Sequence, residues 1–162
     1  MMDEVQGLPP IVRTVTVPVA VERAFACFVE ELGRWWPGAY TWSGDVLEKI
    51  GIEARPGGHC FELGPDGFRC DWGTVQVLEA PERLIFSWQI NFDRTPQPDP
   101  QKAGSVEVRF APQDEQENLT QVSLTHFDFE RCGGDADAYR AGLDSPEGWT
   151  LILERYREYC DQ

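Results

Sequence analysis

From Ile11 to Val17 apolar and polar residues alternate and β-branched side chains dominate, the pattern of a half-buried strand that Pro18 stops. The period then changes. Val21, Phe25, Phe28, Val29 and Leu32 recur at helical spacing, which predicts an amphipathic helix over Val19–Leu32 ended by Gly33. Trp35, Trp36 and Pro37 follow directly. Adjacent side chains cannot share one face of a helix or a strand, so the two indoles must point into different surroundings.

Period two returns from Asp45 to Phe127. Ile50 with Ile52, His59–Leu63, Trp72–Leu78, then Leu84, Phe86, Trp88 and Ile90, then Val106, Val108 and Phe110, and finally Val122, Leu124 and His126 each read as a strand or strand face. Arg55–Gly58, Pro65–Asp66–Gly67 and Ala80–Pro81–Glu82 separate them as turns. Residues 92–103, rich in proline, read as a surface loop. The last stretch is helical again. Ser145 and Pro146 form a start signal, and Trp149, Ile152, Leu153, Tyr156 and Cys160 make one apolar stripe. A shorter helix is expected over Asp135–Ala141.

This order predicts an α+β fold. A curved antiparallel sheet of about six to seven strands wraps a long C-terminal helix over Pro146–Cys160, because the apolar sheet face needs a cover and only that helix is large enough. Residues 1–162 are expected to form one domain, with residues 1–10 flexible. A strongly curved sheet gripping one helix leaves a cavity between them, and the segment carrying Trp35 and Trp36 would close one end.

Composition removes several function classes. Twenty-eight acidic residues against fourteen basic ones give a net charge of −14, which repels nucleic-acid phosphates and anionic lipid. No apolar run approaches the ~20 residues of a membrane span, and the acidic start MMDEVQGLPP does not read as a secretory leader. A cytoplasmic setting is the expectation. Five scattered cysteines (Cys27, Cys60, Cys70, Cys132 and Cys160) form no CxxC pair, and His59 and His126 are the only histidines, so neither a metal site nor a cofactor is expected and the thiols should be reduced. Were one disulfide to form, Cys60 and Cys70 across a hairpin would be the pair. Pro56–Gly57–Gly58 lacks the lysine and following helix of a phosphate cradle and reads as a turn. Asn118–Leu119–Thr120 matches a glycosylation sequon, read here as chance.

Several stretches taken together resemble the START-like (SRPBCC, helix-grip) superfamily, and within it the group similar to the C-terminal domain of the activator of heat-shock protein 90 ATPase. These are VPVAVERAFACFVEELGRWWP, RPGGHCFELGPDG, WGTVQVLEAPERLIFSW, SVEVRFAP, LTQVSLTHFDFE and the late Gly148–Trp149. The resemblance spans nearly the whole chain. It implies a helix-grip fold with a deep apolar cavity but no shared chemistry, since such proteins include lipid and polyketide binders, cyclases, stress proteins and co-chaperones. Phe127–Asp128 departs from the glycine common in the family after the TH motif, which would add bulk and charge at the cavity mouth.

The candidate ligand-binding residues are Trp35, Trp36, Phe86, Trp88, His126 and Trp149. Each indole either fills core or walls the cavity. His126 shares an inward face with Val122 and Leu124. It is either a hydrogen-bonded structural residue or the group that orients a ligand or acts as a general acid/base, with binding then shifting through the imidazole pH range. His59 faces the cavity or its rim, and Arg55, Arg69 and Asp71 either anchor a ligand or are solvated. The leading reading is a binder of a small, mostly apolar molecule, monomeric or homodimeric, with no nucleic-acid or membrane partner. The alternatives are a cyclase or dehydratase using His126, or a co-chaperone-like interaction module. A second titratable group beside His126 would favour catalysis, and a lone imidazole would favour binding.

Overall fold

The computed structural model describes residues 8–162. Seven strands form one antiparallel sheet: β1 (Ile11–Val17), β2 (Lys49–Ile52), β3 (His59–Leu63), β4 (Arg69–Glu79), β5 (Arg83–Trp88), β6 (Gly104–Pro112) and β7 (Thr120–Phe127). Their order is β1-β7-β6-β5-β4-β3-β2, with β1 and β2 at the edges. Three helices complete the fold: α1 (Val21–Val29), α2 (Ala136–Leu143) and α3 (Trp149–Cys160). The sheet curls, α3 serves as the gripped C-terminal helix, and α1 packs against β6, β7 and α3. This is the α+β helix-grip architecture.

Residues 1–7 of the N-terminal stretch expected to be flexible lie outside the described residues. Pro9 and Pro10 are tied down, because their carbonyls accept hydrogen bonds from the Arg140 guanidinium on α2.

Both main helices are shorter than their periodicity predicts. Val19 lies in a bend and Ala20 is extended before α1, and the Val19 carbonyl accepts a hydrogen bond from Thr120 Oγ1 at 2.7 Å instead of starting a helix. At the far end, Leu32–Arg34 forms a separate helical turn. The expected start of the last helix at Pro146 moves to Trp149. Ser145–Gly148 folds as its own turn, with the Gly148 N–H donating to the Ser145 carbonyl at 3.0 Å. Gly148 is then the N-cap, and a Cβ there would stand 2.0 Å from the Leu143 carbonyl oxygen. Only glycine permits that approach between the end of α2 and the start of α3.

The apolar stripe of α3 is core. Trp149, Ile152, Leu153, Tyr156 and Cys160 are all buried. Tyr156 meets Phe28 and Trp35 edge-on at ring distances of 5.3 and 5.2 Å, and its hydroxyl donates to the Ala24 carbonyl. Phe25 and Phe28 of α1 reach Phe110 on β6. Ile152→Ala is expected to lower stability by about 2–5 kcal/mol, read as a fall in the urea midpoint. An unchanged midpoint would place that stripe outside the core.

All five cysteines are free thiols. Cys60 and Cys70 lie on the two strands of the β3–β4 hairpin but not opposite each other: Cys60 faces Gly73 and Cys70 faces Glu62, with a register shift between Cys60 and Phe61.

A candidate ligand-binding cleft

The tryptophan pair divides as adjacent residues must. Trp35 turns under α1, tilted on Phe28 with ring centres 5.1 Å apart, and its Nε1–H donates to the Cys27 carbonyl at 2.8 Å. Trp36 turns the other way, 5.4 Å from Trp72 and 6.2 Å from Trp88. There it forms part of the wall of an open cleft of about 590 Å³.

Four parts of the chain build that wall. Trp36, Tyr40 and Trp42 come from the segment between α1 and β2. Trp88, Ile90, Phe92 and Arg94 come from the end of β5 and the loop after it. Tyr139 and Leu143 come from α2, and Glu147 and Ile152 from the start of α3 and the turn before it. Arg94 and Glu147 are the only charged side chains of this lining among the described residues. Tyr139 links two sides, since its hydroxyl accepts from Trp88 Nε1–H at 2.7 Å and donates to the Ile90 carbonyl. Burial holds that phenol well above its ordinary pKa, so it stays protonated and works as a fixed hydrogen-bonding post.

Of the six residues singled out from the sequence, Trp36 and Trp88 line the cleft. Trp35, Phe86, His126 and Trp149 lie behind it. The physical reason is competition for buried area: a sheet face this aromatic packs against itself before it faces a void. Trp149 is wholly enclosed, 5.1 Å from Trp88, and its Nε1–H donates to Nδ1 of His126 at 3.0 Å.

That hydrogen bond defines His126. Nδ1 accepts, so the neutral ring carries its proton on Nε2. The imidazole stacks on Phe129 at 4.3 Å and is 1 % exposed. Burial lowers its pKa to about 3. Its ring neighbours are Trp88, Phe129 and Trp149, with no titratable group among them. The expected pH-sensitive contact to a ligand is therefore corrected: this imidazole is neutral throughout the physiological range and does not reach the cleft.

The other candidates lie elsewhere. His59 is on the rim of a separate depression with Arg69 and Asp71. Arg69 pairs with Asp71 at 2.9 Å and with Glu53 at 3.7 Å, and Arg55 also lies 3.7 Å from Glu53. Phe127 and Asp128 do not line the cleft, and Asp128 pairs with Arg131 at 3.3 Å. Among the described residues no group of three or more histidines, cysteines or carboxylates is placed to hold a metal ion, and no helix is long and apolar enough to cross a membrane.

Sequence reasoning missed Tyr40, Trp42, Phe92, Arg94 and Tyr139. The stretch after β5, read as a plain surface loop, folds back through an Ile90–Pro96 bridge and supplies part of the wall. The available signal was three further aromatics, Tyr40, Trp42 and Phe92, in segments with no period of their own. Aromatics outside any strand or helix face need a reason to be there.

A seven-stranded curved sheet around a C-terminal helix, with an aromatic cleft between the helices and the sheet's loops, defines a START-like, helix-grip protein. The chain belongs to the Activator of Hsp90 ATPase homolog 1-like protein family, whose model matches residues 18–161. It is similar in structure to an anthrahydroquino-gamma-pyrone synthase, Txn09, complexed with SUM: identity is 28 %, TM-score 0.65, and 94 % of this chain and 97 % of that one are covered. A self-sacrificing resistance protein, CalC, from Micromonospora echinospora is 24 % identical with TM-score 0.66, covering 94 % of each chain. The Aha1 dimer from Colwellia psychrerythraea shares the fold at 13 % identity and TM-score 0.61, over 95 % of this chain and 97 % of that one. No curated protein matches the chain significantly.

Proposed function

We propose that the protein binds a small, mostly apolar molecule in this cleft, in contact with Trp36, Trp42, Trp88 and Phe92. One observation carries the reading: an open space of about 590 Å³ gathers six aromatic side chains in its wall, with Thr41, Asn91, Arg94, Ser145 and Glu147 as polar neighbours. That is the size and lining of a small-molecule site. Burying apolar ligand surface is worth ~25 cal/mol per Å², so covering a few hundred Å² leaves roughly micromolar affinity after the costs of association. The hydroxyl of Tyr40, the Arg94 guanidinium and the Glu147 carboxylate are the polar groups able to orient such a ligand. The synthase that this chain resembles at 28 % identity is consistent with a polycyclic aromatic ligand.

Catalysis through His126 has no support from its surroundings. A ring that protonates only near pH 3 is a poor base, and it stands behind the wall with a tryptophan N–H already on its free nitrogen.

Titration with anilinonaphthalene sulfonate, followed by quenching of tryptophan fluorescence, tests the reading. Saturable binding is expected, weakened about fivefold to tenfold in Trp42→Ala and in Trp88→Phe, consistent with the loss of one aromatic contact. Binding should not change between pH 6 and pH 8 through His126. Absence of saturable binding would overturn the proposal.

A further inference from the structure

A carboxyl group on the interior of β3 has a task that neither packing nor solvation explains. Glu62 is fully buried, yet its two oxygens accept hydrogen bonds from backbone: the Trp42 N–H at 3.1 Å and the Ser43 N–H at 2.7 Å. Both donors lie in the segment Gly38–Val46, which crosses one side of the cleft as two single helical turns. A buried polar group is retained where it holds something that would otherwise float.

The segment has a second close fit to β3. A Cβ at Gly64 would lie 2.3 Å from Ser43 Oγ, so the missing side chain lets the strap settle onto the strand end. Its other ties cross the cleft mouth. Trp42 Nε1–H donates to the Arg94 carbonyl at 2.7 Å, and the Tyr40 hydroxyl donates to the Glu147 carbonyl at 2.6 Å. Both of those acceptor residues, like Tyr40 and Trp42 themselves, line the cleft.

We propose that Glu62 is a positioning residue of the ligand cleft: it anchors the Gly38–Val46 strap, and through it Tyr40 and Trp42, across the mouth so that the strap retains the bound molecule. The inference rests on the ligand-binding reading above. The two kinds of tie divide the work. The Glu62 carboxyl is buried and holds the half-buried middle of the strap to the sheet. The Tyr40 and Trp42 bonds sit at the surface, each a single hydrogen bond to a carbonyl, and can open singly to admit a ligand. Replacing one carboxyl oxygen by an amide sets two donors against each other at Trp42 or Ser43, which leaves the strap with the surface ties alone.

Two variants loosen the strap by different chemistry. Glu62→Gln removes an acceptor, and Gly64→Ala pushes Ser43 away sterically. Each is compared with the wild-type chain in two measurements: hydrogen exchange of residues 41–46, and stopped-flow dissociation of anilinonaphthalene sulfonate. Faster exchange confined to that segment, with dissociation accelerated about tenfold and association little changed, is expected from loss of one buried hydrogen-bonded anchor. A purely structural role would speed exchange and leave dissociation where it was, and that result overturns the proposal. Unchanged exchange in both variants overturns it as well. If the wild-type chain binds no dye, the ligand reading falls and the strap's role falls with it; binding with unaltered dissociation removes the strap's role alone.

Discussion

Trp149→Ala should destabilise the protein by about 4 kcal/mol, more than a typical core truncation of an aliphatic residue. Two losses add. The indole is wholly enclosed at the start of α3, with Trp88 and His126 against it, so its removal leaves a cavity where neither the helix nor the sheet can collapse inward. It also strips the Nδ1 atom of His126 of its donor in an enclosed site, and a buried acceptor without a partner bears its full desolvation cost. Trp149→Phe separates the two: it keeps most of the volume and loses the N–H, and about half the effect is expected. Urea unfolding measures both. If alanine costs less than about 2 kcal/mol, the helix start is not pinned by this residue and the grip of the sheet on α3 lies further along.

Acid should unfold the protein through His126 before its carboxylates titrate fully. The imidazole pKa is lowered from 6.5 to about 3 because burial excludes the charged ring. Between those two values the unfolded chain takes up a proton that the folded chain refuses, so stability falls as pH falls, with a slope of ~1.4 kcal/mol per pH unit, and is unaffected above pH 6.5. From pH 7 to pH 4.5 the loss is about 2.5 kcal/mol. Carboxylates act in the same direction but later. Asp144 is held below its ordinary pKa by the hydrogen bond from Arg13, and Glu31 by the hydrogen bond from Arg23, so each gives up stability only as pH falls through the usual carboxylate range and below. The interval from pH 6.5 to pH 5 therefore belongs to the buried imidazole. His126→Gln, whose amide oxygen can still accept from Trp149, should flatten it. Equal slopes in both proteins would show that the ring takes its proton inside the fold.

The same residue shows how far a sequence reaches. Alternation in Val122, Leu124 and His126 was enough to place the imidazole on the inward face, because side-chain direction in a strand follows from local geometry. Whether it met a ligand or a protein donor depended on Trp149, twenty-three residues further on and on a different element. The two strong periods, the turn chemistry and the apolar stripe on the last helix made the sheet, its cover and the core legible, since each is set by neighbours within a turn or two. Periodicity alone starts both helices too early because tertiary partners take over the backbone: the Thr120 hydroxyl on Val19, and the close pass of Gly148 over Leu143.

The cleft was legible only in part. That Trp35 and Trp36 diverge follows from their adjacency. Which one faces the cleft does not, because it is decided by Phe28 and Tyr156 on one side and Trp72 and Trp88 on the other. Tyr40, Trp42 and Phe92 sit in segments without a period and Tyr139 on the short helix α2, and the chain brings them together from positions about a hundred residues apart. Glu62 reads in sequence as a polar residue on a strand and is in the structure a buried acceptor for two backbone N–H groups. What local pattern determined here is which face each residue presents. What the tertiary structure decided is what that face meets, because packing is a contest among all side chains that reach one space, and its outcome depends on shape and partner rather than on position in the chain.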